Sequence, residues 1–292
     1  MNGIKYSGLL EGKNAVVTSG AHGMGRHVAE VLAQQGARVA INGLNPSGVE
    51  SGENLNKISP GSFFVQCDMS QPEAVDNFIG ETLKRMGHVD VVANVVGINL
   101  NEDIDQVKDD RFGKTQQVNI RGAIRLSRAF TPGMIKAGGG AFVHISTVHS
   151  IVGIPKNTAY ASSKAAINAF SCAFAAAYAK YNVRSNVICP GGINSKIEGY
   201  FEALGDDPEK IKRQIAYNSP GQFDYGHGSV YDIANSTLYL LSDMSRKVTG
   251  QILLVDGGCI LQSHNVNEYR VPEEYEDIWY NVLMGRFKQP EY

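Results

Sequence analysis

The chain has 292 residues, 43% of them hydrophobic, and a formal charge of −2 at pH 7. That length supports a buried core in one large α/β domain or two small ones, and the balanced charge leaves no electrostatic footprint for nucleic acid or an anionic membrane. The four cysteines, Cys67, Cys172, Cys189 and Cys259, are scattered without a CxxC pair, so their spacing offers neither a zinc site nor a disulfide framework and fits a reducing, cytoplasmic setting. The segment MNGIKYSGLLEGK has no continuous apolar run, and no stretch approaches the ~18 apolar residues that cross a bilayer; a soluble protein is expected.

From residue 13 onward, short apolar runs rich in Val and Ile alternate with longer amphipathic stretches. Strands are predicted at NAVVTS (14–19), ARVAIN (37–42), SFFVQC (62–67), VDVVAN (89–94), GAFVHIS (140–146), VRSNVIC (183–189) and QILLVD (251–256). Such near-continuous runs suit strands covered on both faces. Helices are predicted over 24–35, 71–86, 157–180 and 229–242. Arg121, Arg125 and Arg128 fall at helical spacing, as a solvated face or a subunit contact. Strand–helix alternation implies an α/β fold with a Rossmann-like, doubly wound parallel sheet of about seven strands and helices on both faces. The last strand completes the sheet pattern, so residues 1–262 read as one domain. Residues 263–292 form an extension holding the only Trp and four of the 13 tyrosines; a disordered tail would be poor in aromatics, so a lid or subunit-contact segment is expected.

Between the first strand and the first helix lies TSGAHGMGRHVAEVLAQQGA (18–37), with Gly20, Gly23 and Gly25 in the turn. Glycines there allow a tight turn and close backbone approach, and the free N–H groups of the helix suit a pyrophosphate. The second strand ends in Asn42, Gly43 and Leu44. An acidic residue there would accept from a ribose 2′-hydroxyl, and an arginine would suit a 2′-phosphate; neither is present.

On the long predicted helix, AYASSKAAINAF (159–170) places Tyr160 and Lys164 four apart on one face. Ketone reduction by hydride needs a proton donor, and the reverse reaction needs a base. A nearby ammonium favours a phenolate. Making Tyr160 a base near neutrality takes roughly 3–4 kcal/mol, at about 1.36 kcal/mol per pH unit. Upstream, HISTVHS (144–150) ends the fifth strand, at the carboxyl edge where ligands bind in open α/β sheets. His144 and His149 lack the further ligands a metal site needs, and no metal is expected. His144 reads as a packed core or interface residue, while His149 lies at the rim of the site. A serine hydrolase would show GxSxG, and no serine here has glycine at both −2 and +2.

Together these motifs resemble the short-chain dehydrogenases/reductases. Thr18, Gly23 and Gly25 match the TGxxxGxG loop, while Ser19 replaces the first glycine and Gly20 is expected to supply the lost flexibility. Asp68, Asn94 and Gly97 match the family's adenine-side acid and NNAG segment, which here reads NVVG with Val95 and Val96. Asn119 matches its asparagine, and CPGGINS (189–195) its PGxxxT segment, with Ser195 for Thr. The resemblance spans residues 8 to 262. It implies an alcohol dehydrogenase or ketoreductase in which Tyr160 is the general acid/base, Lys164 tunes it, Thr147 (thirteen residues earlier) holds the substrate oxygen, and Asn119 relays protons. Ser146 is the fallback for Thr147, since adjacent strand residues face opposite ways. The implied cofactor contacts are Ser19, His22, Gly23, Met24, Gly25, Asn42, Asp68, Met69, Asn94, Gly97, Tyr160, Lys164, Pro190, Gly191 and Ile193.

His22 occupies a position that is often basic in members binding the 2′-phosphate, and a mostly neutral imidazole compensates a dianion poorly. NAD is therefore the expected cofactor, with NADP open. Ser146, Thr147, His149, Gly192 and Tyr200 are candidate substrate contacts. The aromatics of a lid over 192–226 (Tyr200, Phe201, Tyr217, Phe223, Tyr225) would suit a bulky apolar alcohol such as a hydroxysteroid, or would build subunit contacts; 3-oxoacyl thioesters, sugars and polyols stay open. The resemblance also implies a further helix in 103–135 and a homotetramer or homodimer. A non-catalytic dinucleotide sensor is the alternative of a different class, motivated by the changes at Ser19, Val95 and Thr147.

Overall fold

Among the described residues, short Val- and Ile-rich runs pair with parallel partners, and the seven strands of the main sheet are connected through helices. The computed structural model describes residues 7–100, 102–153, 156–194 and 228–261. In chain order the elements are β1 (Asn14–Val17), α1 (Gly23–Gln34), β2 (Arg38–Gly43), α2 (Gly48–Ile58), β3 (Phe63–Gln66), α3 (Pro72–Met86), β4 (Val91–Asn94), α4 (Asp109–Gln116), α5 (Gly122–Lys136), β5 (Gly140–Ile145), α6 (Thr158–Tyr178), β6 (Val183–Pro190), β7 (Ile193–Asn194), β8 (Gly228–Ser229), α7 (Val230–Leu241) and β9 (Ile252–Val255). Seven strands form one parallel sheet in the order β3-β2-β1-β4-β5-β6-β9, and β7 and β8 make a separate parallel pair. The order reverses between β1 and β4, the switch point where such sheets open a crevice at their carboxyl ends.

Period-two alternation divides the sheet's side chains between two layers. Ala15, Val17, Val91 and Ala93 face the layer completed by α1 and α7. Val16, Val92 and Phe142 face the one packed under α3 and α5. The register Asn94↔His144 and Ile145↔Ile188 brings the ends of β4, β5 and β6 to one level. Helix α7 starts with a capping box, in which Ser229 Oγ accepts from the Tyr231 N–H and Asp232 Oδ2 from the Ser229 N–H. Its far end is stitched to β6 by buried Arg184, whose guanidinium donates to the carbonyls of Leu240 and Ser242 and to Ser245 Oγ.

Two features depart from the expected pattern. The helical stretch in 103–135 is two helices joined by a π turn over Gln117–Arg121, and that single wide turn carries Asn119. Helix α2, rich in Ser, Gly and Asn, carries too weak an apolar stripe to stand out in sequence. It packs because Gly48 and Gly52 admit the Phe64 side chain; a Cβ on Gly52 would lie 2.8 Å from Phe64 Cβ. Of the arginine cluster, Arg125 is half-buried and paired with Asp76 of α3 at 2.9 Å, while Arg121 and Arg128 are exposed. No helix among the described residues is long and apolar enough to cross a membrane. Ser195, Tyr200 and the other lid aromatics, together with the 263–292 extension, lie outside the described residues.

Candidate active site

Thr18 follows β1 directly, with its side chain buried at the switch point. Oγ1 donates to Asn94 Oδ1 (3.1 Å) and accepts from the Val95 and Val96 N–H groups (2.9 and 3.0 Å). The valines of NVVG are thus held by their backbone, which no side-chain change at those positions removes. The next residue, Ser19, adopts φ +54°, the left-handed region that disfavours a side chain. Its N–H donates to Asn42 Oδ1 at 2.7 Å. The expectation that Gly20 supplies flexibility is corrected here, because Gly20 is not among the positive-φ residues. Its constraint is space, since a Cβ there would lie 2.5 Å from Ile41 Cγ2. Gly23 has φ +54°, and a side chain on Gly25 would collide with the Ser19 carbonyl oxygen. No side chain caps the start of α1, so its first N–H groups meet the cavity beside His22 and Met24, a donor set that fits a pyrophosphate.

Across the cavity, α6 presents Tyr160 and, one turn on, Lys164. Lys164 is 2% exposed; its Nζ donates to the Ile145 carbonyl at 2.8 Å and meets that of Val96 at 3.4 Å. Gly97 makes room for it, because a Cβ there would lie 2.9 Å from Nζ. Burial pulls the lysine down to about 8. For Tyr160 the sequence led us to expect a lowered value, but the structure gives a raised one. Burial is the leading cause, and the hydrogen bond with the Thr147 hydroxyl opposes it. The Lys164 ammonium lies 5.9 Å from the phenol ring centroid and is taken up by the Ile145 and Val96 carbonyls, so desolvation prevails at the phenol.

Adjacent hydroxyls at the end of β5 divide in direction. Thr147 Oγ1 accepts from the His149 N–H at 3.3 Å and meets Tyr160. Ser146 Oγ donates to the Lys164 carbonyl at 3.1 Å. Asn119 is fully buried. Its amide brackets the Ile98 backbone, donating to O (3.0 Å) and accepting from N–H (2.9 Å), and donates to Ser163 Oγ (2.9 Å), which in turn donates to the Tyr160 carbonyl (2.7 Å). The asparagine therefore ties the loop after β4 to α6.

These groups surround one cavity of about 490 Å³. Ser19, His22, Gly23, Met24, Gly25 and Gly97 line one end, and Ser146, Thr147, Tyr160 and Lys164 the other, with Pro190, Gly191 and Ile193 alongside. Val95, Asn99 and Ile145 also line it; Asn99 and Ile145 were missed, because nothing in their local sequence marks them. Asp68 lies on a separate depression with Lys114 and Gln117, one carboxylate oxygen accepting from the Ser70 N–H at 2.8 Å. Asn42 and Met69 are buried behind the phosphate loop, not on the cavity wall. Asn94 is buried beside Thr18, and its Nδ2 has no partner among the described residues. Gly192 is exposed, its carbonyl taken by the Gly228 N–H. His149 is half-buried, and burial lowers its pKa. His144 is stacked on Phe142 and edge-on to Phe170; burial, aided by Lys164, draws it down to about 3 and keeps it neutral. Among the described residues no cluster of His, Cys, Asp or Glu could hold a metal.

A glycine turn at the switch point of a doubly wound parallel sheet, facing a buried tyrosine–lysine pair, defines a class: Rossmann-fold oxidoreductases working with a nicotinamide dinucleotide. A family model described as enoyl-(acyl carrier protein) reductase matches residues 19–259. The chain is 32% identical over 266 residues to a 7alpha-hydroxysteroid dehydrogenase of Clostridium sardiniense, covering 89% of this chain and 98% of that one. It is 29% identical to an NAD-dependent glycerol dehydrogenase of Listeria innocua serovar 6a, covering 84% and 93%. L-sorbose reductase from Gluconobacter frateurii, solved with NADPH and L-sorbose, superposes with a TM-score of 0.80 at 26% identity, covering 87% and 98%. The chain belongs to the short-chain dehydrogenase/reductase family. It is an NAD(P)-dependent alcohol dehydrogenase/ketoreductase acting on small molecules.

The buried lysine makes stability depend on pH with a defined sign. Its folded value, about 8, lies below its ordinary 10.5, so between those limits the unfolded chain holds more protons and stability rises with pH. Thermal and denaturant unfolding of wild type and Lys164→Met, from about pH 7 to about pH 10, should show wild type gaining on the variant by up to about 3 kcal/mol. Parallel profiles would show that the native lysine keeps its ordinary affinity for protons.

Proposed function

We propose that this enzyme interconverts a bulky, largely apolar secondary alcohol and its ketone with NAD(H), Tyr160 serving as general acid and base. The observation that carries the reading is the meeting of Thr147, Tyr160 and Lys164 in the cavity that the glycine turn also lines. The loop Ser19–Gly25 and the start of α1 would hold the pyrophosphate, with Pro190, Gly191 and Ile193 at the nicotinamide end. When bound, the dinucleotide supplies or accepts hydride. Thr147 positions the substrate oxygen by hydrogen bonding. Tyr160, kept protonated by burial, delivers a proton to that oxygen during reduction. Lys164 holds positive charge next to the phenol, and Asn119 fixes the loop and helix that carry these groups. Residues 1–262 act as one catalytic domain and 263–292 as a lid or subunit-contact extension of a cytoplasmic homotetramer or homodimer.

Preference for NAD is supported by the end of β2. Asn42 turns inward to Ser19, and the exposed side chain that follows is Leu44, so a 2′-phosphate finds no guanidinium there. The hydroxysteroid class is supported by the similarity to a hydroxysteroid dehydrogenase and by the aromatic residues between β7 and β8. A sugar or polyol is the second reading, favoured by the similarity to L-sorbose reductase. Fluorescence titration of NADH against NADPH, then turnover across steroid, 3-oxoacyl and sugar ketones, separates these readings. Tighter NADPH binding, or turnover confined to sugars, would overturn the corresponding part.

Two substitution series test the roles. Tyr160→Phe should lower kcat by about 10²–10⁴-fold while leaving dinucleotide affinity near wild type; a variant that still reduces ketones rapidly would remove Tyr160 from the chemistry and leave a dinucleotide sensor as the better reading. Thr147→Ala should lose most activity and Thr147→Ser retain it within about tenfold, whereas Ser146→Ala stays close to wild type. The reverse ranking would transfer the role to Ser146.

A further inference from the structure

We propose that Asn42 and Met69 are positioning residues for the phosphate loop: they act on the cofactor through the backbone of Ser19 rather than by touching it. The inference rests on the dinucleotide reading of the site and adds a mechanism that neither the glycine pattern nor the cavity wall reveals. Ser19 takes a left-handed conformation at a position where a side chain is present, and such a conformation persists only when surrounding structure enforces it. The enforcing contact is the 2.7 Å hydrogen bond from the Ser19 N–H to Asn42 Oδ1. Asn42 is 1% exposed and cannot exchange this bond for water.

The amide of Asn42 has only one orientation that satisfies both of its neighbours. A backbone N–H can only donate, so the atom facing Ser19 is the oxygen. The nitrogen is then turned to the Met69 thioether, with Nδ2 to Sδ at 3.2 Å. Cys67 Sγ reaches the same sulfur at 3.7 Å, and burial pushes that thiol up to about 12, so it stays a neutral donor. Met69 is held in turn by α5, where Gly122 leaves the space its methyl fills; a Cβ on Gly122 would lie 2.8 Å from Met69 Cε. The line Gly122–Met69–Asn42–Ser19 thus runs from α5, through the end of β2, to the turn beneath the pyrophosphate. A carboxylate at 42 would lose the donor to sulfur and bury an uncompensated charge. Asn42 accordingly has a different task from the acid that reads a ribose hydroxyl at this end of β2.

The test uses full-length protein and titrates NADH and NADPH by fluorescence, with thermal unfolding alongside. Asn42→Ala should weaken both dinucleotides about tenfold, equivalent to about 1.4 kcal/mol, without changing their ratio. Ser19→Gly supplies the reference affinity for a turn that needs no enforcing contact, because glycine enters this region freely. The double variant should return to within about threefold of Ser19→Gly. Met69→Leu, which conserves volume, should weaken binding in the wild-type background and not in the Ser19→Gly background. Unchanged affinity in Asn42→Ala, a shifted NADH:NADPH ratio, or no rescue by Ser19→Gly would each overturn the positioning role. Wild-type protein that binds neither dinucleotide would instead overturn the cofactor reading beneath it.

Discussion

The Thr18 hydroxyl, at the point where β1 and β4 part, accepts two backbone N–H groups and donates to Asn94. A parallel sheet that reverses its strand order leaves backbone groups unpaired at the reversal, and burying them without partners costs about 1–3 kcal/mol each. Thr18 satisfies the N–H groups of Val95 and Val96 and so fixes the path of the chain after β4. Along that path lie the Val96 carbonyl, which meets Lys164 Nζ, and Gly97, whose missing side chain leaves the lysine its space. Ile98 follows, both of its backbone groups taken by Asn119. The phosphate loop begins on the other side of the same threonine. One side chain therefore registers the glycine turn at one end of the cavity against the buried lysine at the other.

Electrostatics within the cavity follow from desolvation more than from pairing. Lys164 is drawn down and Tyr160 pushed up by the same burial, which disfavours the charged form of each. A protonated phenol suits the direction in which a ketone oxygen must receive a proton. The Ile145 and Val96 carbonyls stabilise the ammonium without drawing it onto the phenol oxygen. His144 is kept neutral by burial among aromatic rings and, in the same direction, by the nearby charge of Lys164. It therefore adds no second positive charge to the site.

Most of the fold was legible because a strand buried on both faces must be apolar almost throughout. The seven predicted runs coincide with the seven strands of the sheet to within about two residues at each end. The helical spacing of Tyr160 and Lys164 and their place after β5 likewise put them at the carboxyl edge. What escaped were properties set by neighbours distant in sequence. Asn42 turns inward because Met69 and Ser19 offer partners there, and a strand-end residue carries no sign of its direction. The π turn at Asn119 arises from one additional residue in an otherwise continuous helical pattern. The sign of the Tyr160 shift depends on how completely Thr147, α6 and β6 bury the phenol, and motif spacing carries no such information.

The departures from the family pattern share a physical logic. At Ser19 the lost glycine is answered by a hydrogen bond from Asn42, so the turn keeps its shape at a non-glycine residue. At Val95 and Val96 the working groups are backbone N–H donors, and β-branched side chains stiffen the segment without removing them. At Thr147 a hydroxyl is retained, and the added methyl restricts its rotation beside Tyr160. Each change keeps the group that touches a neighbour and alters only what surrounds it. A passive dinucleotide scaffold would have no reason to bury an ammonium at Lys164, whose cost to the folded state is complete below about pH 8 and fades as pH rises towards 10.5. Two carbonyls and the space left by Gly97 brace that ammonium beside Tyr160, an arrangement that suits proton transfer at the phenol.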